Sequence, residues 1–167
     1  MVSGLFKECL ADVYHGEQTG EVAFEAMLHG AENAEQSYIL GSFLQLETEG
    51  KALLRPVLMK CGLLMIDHPD ARPNGVAGAE GLSQLPWTEQ FSALADMVKA
   101  TYLPRYEELV TLVSADEDSE AYKVAQFMGD HERALIAAAE NIALGKPDPI
   151  LPVAKLLNFP LSKPADD

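Results

Sequence analysis

Cysteine is scarce, positive charge is outnumbered, and long apolar runs are missing from this 167-residue chain. The two cysteines, Cys9 and Cys61, fall inside helical patterns rather than at loop staples. No disulfide framework is therefore expected, and both read as buried, reduced thiols of a cytoplasmic protein. Twelve Lys and Arg stand against 26 Asp and Glu, a formal charge of −14, and the basic residues form no run. Nucleic acid and anionic membrane surfaces are bound chiefly through clustered positive charge, so neither is expected as a partner. No apolar stretch approaches the roughly 20 residues of a membrane span, and the N-terminal segment has no signal-peptide h-region. There is no phosphate-cradling glycine loop before a helix, no Gly-x-Ser-x-Gly elbow, no Cys-x-x-Cys pair and no His-Glu-x-x-His. Internal repeats and strand alternation are also missing.

What is present is helical periodicity. Phe6, Cys9, Leu10, Val13, Phe24, Met27 and Leu28 recur at steps of three and four, predicting a first helix over about 3–30 with Ser3 as N-cap. A second, over about 34–61, carries Leu40, Phe43, Leu44, Leu54, Val57, Leu58 and Cys61, with Pro56 inside it and Gly62 as its cap. From 63 to 86 the pattern lapses into turn formers, His68-Pro69-Asp70-Ala71-Arg72-Pro73-Asn74-Gly75 and more glycine, read as a long loop. Such a connection can carry the chain the length of a bundle, so that the next helix starts where the second began. A third helix over about 87–113 is kinked at Pro104, and a fourth runs from the candidate N-cap Ser119 to about 144, closed by Gly145. The expected domain is an all-α four-helix bundle over 1–145. A proline-rich tail, 146–167, packs on the bundle or on a partner subunit, and a homodimer is expected.

The bundle stripes carry charge. Glu17 lies on the first stripe and Glu21 on it or at its edge, and Glu47 interrupts the second stripe at its middle. An unpaired carboxylate in a core is costly, so these groups need partners. His131 sits on the stripe of the last helix, and Glu107 or Glu108 follows the Pro104 kink, one inward and one solvated. Arg105 lies near its helix's stripe and could pair with Glu47 or Glu21 as a buried ion pair.

Four long helices with short first and last links and one long crossover match the ferritin-like arrangement. Gly16-Glu17-Gln18, followed by Gln45-Leu46-Glu47-Thr48-Glu49, resembles the first helical hairpin of ferritin-like di-iron proteins, which include rubrerythrins and aldehyde-deformylating oxygenases. Residues 129 to 135, Gly-Asp-His-Glu-Arg-Ala-Leu, similarly resemble their last helix. The resemblance implies Glu17 or Glu21, Glu47, a helix-three Glu such as Glu108, and His131 as ligands, with iron first and manganese second. Two departures stand against a full dinuclear set. Gly50 replaces the His of one Glu-x-x-His motif, and Met128 the Glu of the other. The function expected is a bundle with a degenerate metal site that serves as an interaction or small-ligand-binding module, a small molecule occupying its core. The alternative is an iron or manganese oxidoreductase or oxygenase with a carboxylate and histidine site.

Overall fold

The computed structural model describes residues 2–164, which form seven helical segments and no strand. The tail's last three positions, 165–167, lie outside the described residues. The first helix, α1 (Gly4–His29), starts where Ser3 accepts a hydrogen bond from the Phe6 amide at 3.1 Å. The next, α2 (Ala34–Lys60), is capped in the same way by Asn33. At its end Gly62 turns the backbone to φ +73°, and the amides of Gly62 and Leu63 bond back to Met59 and Leu58. That is the Schellman pattern, which requires the left-handed conformation glycine adopts cheaply. The two helices are antiparallel, since Glu17 meets Gly50 while Gly20 meets Glu47.

The stretch read as a long loop contains a helix, α3 (Ala71–Ser83). Its proline, Pro73, lies in the first helical turn, where an amide hydrogen has no intrahelical acceptor to lose. Its glycines serve packing. A Cβ on Gly75 would lie 2.7 Å from the Thr19 carbonyl oxygen and 2.8 Å from Val22, so glycine is what lets α3 lie against α1. The chain still travels from one end of the hairpin to the other, because Trp87 shares a cleft with Gly30 and Gln36, near the end of α1 and the start of α2.

Two helices, α4 (Trp87–Thr101) and α5 (Leu103–Thr111), stand in place of one kinked helix, with only Tyr102 between them. Tyr102 keeps near-helical angles of φ −101° and ψ −50°, so the chain bends rather than turns. The last long helix, α6 (Ser119–Ala143), is capped by Asp118 and not by Ser119: the Asp118 carboxylate accepts from the Ala121 amide at 3.1 Å. Ser119 is its first helical residue. A second Schellman turn at Gly145, φ +63°, closes it. The chain then folds back through the single turn α7 (Leu151–Ala154), burying Ile150, Val153 and Leu157 in the core.

The apolar core falls into two layers. One is built around the stacked rings of Phe24, Phe43 and Phe91, and the other around Phe6, Leu10, Leu54 and Leu109. Between them lies a polar group. No helix among the described residues is long and apolar enough to cross a membrane.

Candidate metal centre

Five ionisable side chains converge between the two apolar layers: Glu17 from α1, Glu47 from α2, Tyr106 from α5, and His131 with Glu132 from α6. Glu17 and His131 are 0% exposed, and none of the others exceeds 3%. Tyr106 donates a hydrogen bond to Glu17 Oε1 at 2.7 Å. His131 Nε2 lies 3.1 Å from Glu17 Oε2 but is not aligned to hydrogen-bond it, and His131 Nδ1 is 3.7 Å from Glu132 Oε1. Glu17 Oε2, both nitrogens of His131 and Glu132 Oε2 are thus buried with no hydrogen-bond partner. Buried polar atoms are nearly always satisfied, so four orphans at one point mark an unfilled demand.

Glycines make the space. Glu17 occupies the volume that a Cβ on Gly50 would need: its carboxyl carbon lies 3.0 Å from that point, and His131 Nε2 lies 3.2 Å away. Across the hairpin Glu47 Oε2 lies 2.6 Å from the corresponding point on Gly20, and the Tyr106 ring covers Gly16. Gly50, where the di-iron motif has histidine, is therefore filled space, since a side chain there would collide with Glu17. Met128, where the second motif has glutamate, is fully buried in the Phe6 layer.

The charges do not balance. Three carboxyl groups share the site with one imidazole, and the nearby cations are engaged elsewhere. Lys51 pairs with Glu21, Arg105 with Asp12 and Glu108, and Arg133 with Glu107 and Asp130. Protons fill part of the deficit. Burial, followed by the nearby Glu17, pushes the Glu47 carboxyl well above the ordinary carboxylate range. Burial raises Glu132 too, against the opposing pull of His131. Burial alone would lower the His131 pKa, but the carboxylates of Glu17, Glu132 and Glu47 outweigh it and hold the imidazole well above its usual value. Burial, followed by Glu17, keeps Tyr106 a neutral phenol.

The expected ligand set is only partly brought together. Glu17, Glu47 and His131 converge. Glu21 does not: it faces the edge of the hairpin, where it accepts from Thr48 Oγ1 at 2.8 Å and pairs with Lys51. Glu108 is at the surface with Arg105, and Glu107 is at the surface with Arg133, so neither faces inward. The reason is phase: with α5 starting at Leu103, the inward positions are Tyr106 and Leu109. The same phase turns Arg105 outward to Asp12, and the proposed ion pair with Glu47 or Glu21 does not form. Two members of the cluster, Tyr106 and Glu132, were not anticipated. Their signal was in the spacing, because Tyr102, Tyr106, Leu109 and Val113 follow helical steps, as do Met128, Glu132, Leu135 and Ala139.

No known protein family, curated protein or solved structure matches this chain. The site is therefore read from its own atoms. One ligand atom each from Glu17, His131 and Glu132 lie within 4.8 Å of one another. Two ligands on opposite sides of one ion, each at about 2.0 to 2.2 Å, would be about 4.4 Å apart, so a small inward movement suffices. Two carboxylates and an imidazole are a donor set suited to iron or manganese.

Proposed function

We propose that this chain is a ferritin-like helical protein that binds one divalent transition ion, iron or manganese, through Glu17, His131 and Glu132. The observation that carries this reading is the convergence of orphaned atoms from these three buried side chains. An ion there would give each of them a partner and supply the missing positive charge. The ferritin-like assignment is supported by the antiparallel α1 and α2 pair, by the connection that returns the chain to the end where α2 began, and by the antiparallel run of α4 and α5 against α6 implied by the Lys99 to Glu140 and Glu107 to Arg133 pairs. One long crossover distinguishes that arrangement from an up-down bundle.

Glu17 is positioned by Tyr106, whose phenol holds one carboxylate oxygen and leaves the other toward His131. Three protein ligands leave coordination positions for a small molecule, the arrangement common to catalytic rather than structural metal sites. A bound ion would act there as a Lewis acid or in oxidative chemistry. An ion binds the deprotonated forms of these groups, while the neighbouring carboxylates raise the pKa of His131 and burial raises that of Glu132, so protons compete with the ion and affinity rises with pH. A dinuclear centre is not part of this reading, because Gly50 and Met128 supply no ligands.

The test is elemental analysis of protein purified from iron- and manganese-supplemented cells. The expected result is about one ion per chain, retained in Glu108→Gln and Glu21→Gln and lost in Glu132→Gln. Substoichiometric metal that Glu132→Gln does not change would leave a metal-free ligand-binding module as the better reading.

A further inference from the structure

The polar cluster is not sealed on all sides. A cavity of about 230 Å³ opens between α3 and α4 and runs inward to Glu47 and Glu132. Its walls are mainly apolar, among them Ala23, Phe24, Leu94, Val98 and Leu135, and Gly78 of α3 faces open space at its edge. Two polar groups on the wall have no hydrogen-bond partner within the protein: the carboxyl of Glu47, only 2% exposed, and the phenol of the half-buried Tyr102. A carboxyl on a residue only 2% exposed, set against an apolar wall without a hydrogen-bond partner, points to a ligand.

We propose that this cavity binds a medium-chain aliphatic molecule with an uncharged hydroxyl head, the chain lying along the apolar wall and the head hydrogen-bonded to Glu47. The size follows from volume. An apolar cavity of about 150 Å³ accommodates benzene, so about 230 Å³ suits roughly nine non-hydrogen atoms. The head follows from charge and hydrogen bonding. A hydroxyl both donates and accepts, so it satisfies the Glu47 carboxyl in either protonation state. An anionic head would meet the carboxyl groups of Glu47 and Glu132, and no Lys, Arg or His lines the cavity to offset them. The proposal goes beyond the metal reading and does not depend on it, since Glu47 is outside the three-ligand set.

The test is a saturation-transfer NMR titration of the full chain with 1-octanol and with octanoate. 1-Octanol is expected to bind, and octanoate at least tenfold more weakly. Ala23→Leu, which fills the cavity from α1, should abolish 1-octanol binding. So should Gly78→Leu, placed at the mouth where a Cβ meets nothing within 4 Å, with the fold of both variants checked by circular dichroism. Glu47→Leu should weaken binding at least tenfold by removing the head's partner. Equal binding of alcohol and carboxylate, no binding of 1-octanol to the wild type, or 1-octanol binding unchanged in folded Ala23→Leu or Gly78→Leu would overturn the proposal. Manganese titration of the same samples keeps the two readings apart: Ala23→Leu should bind manganese as the wild type does.

Discussion

Replacing Gly50 by alanine should destabilise the protein, although glycine to alanine inside a helix ordinarily does the reverse. Gly50 is an interior residue of α2, where alanine is favoured by about 1 kcal/mol on helix propensity alone. Here the new methyl group would stand in the place of the Glu17 carboxylate, which is fully buried and bounded by His131 and Tyr106. Glu17 must swing away and give up the hydrogen bond it accepts from Tyr106 at 2.7 Å. A hydrogen bond to a charged group contributes about 1.5 to 3 kcal/mol. The net expectation is a loss of about 0.5 to 2 kcal/mol, a fall in melting temperature of roughly 1 to 8 °C for a domain of this size. Gly78→Ala is the matched control, because its methyl group meets nothing within 4 Å and should stabilise α3 by about 1 kcal/mol. Thermal unfolding of the two variants, each beside a manganese titration, reads the outcome. Should Gly50→Ala stabilise the protein as much as Gly78→Ala does, with manganese affinity unchanged, the packing of Glu17 over Gly50 would be refuted.

Further outcomes follow from the ends of the helices and from the tail. Gly145→Ala places a side chain at φ +63° and should cost about 1 to 2 kcal/mol, read as a lower melting temperature without change at the metal site. Glu49 fixes the tail by accepting from the amides of Asn158 and Phe159 at 2.7 and 2.9 Å, and from the Asn158 and Gln45 side chains. Burial alone would raise its pKa, but these donors outweigh it and lower it. The linkage sign is that of a depressed carboxylate: the stabilisation is present above the ordinary carboxylate pKa and disappears as pH falls through the lower folded value. Glu49→Gln should turn a donor toward the same amides, cost about 1 to 3 kcal/mol and remove that part of the acid dependence. Hydrogen exchange at 150–160 should then speed up in the variant at neutral pH. An unchanged exchange rate would mean that the tail is held by Ile150, Val153 and Leu157 alone.

Where a helix had both periodic apolar residues and strong caps, the sequence located it closely. The start of α1 at Ser3, the ends of α2 and α6 at Gly62 and Gly145, and the buried places of Glu17, Glu47 and His131 were all legible. The helix α3 was not, because Pro73, Asn74 and Gly75 have the composition of a turn. Their purpose is tertiary: a first-turn proline and a glycine pressed on α1 at Thr19 and Val22. The Pro104 bend reset the helical phase, so Glu107, Glu108 and Arg105 went outward while Tyr106 went in. Glu132 was concealed by its neighbour. A narrow stripe admits His131 or the residue after it, yet α6 is covered by α2 as well as by α4 and α5, and its buried arc is wide enough for both.

The central claim is that Glu17, His131 and Glu132 close on one ion. Pulsed electron paramagnetic resonance of the protein titrated with Mn(II) tests it most directly, because it detects nitrogen bound to the ion. The account predicts about one tightly bound Mn(II) per chain with the nitrogen coupling of a single imidazole, and loss of that coupling in His131→Gln. A nitrogen signal that survives His131→Gln, or Mn(II) that binds without any nitrogen coupling, would contradict it.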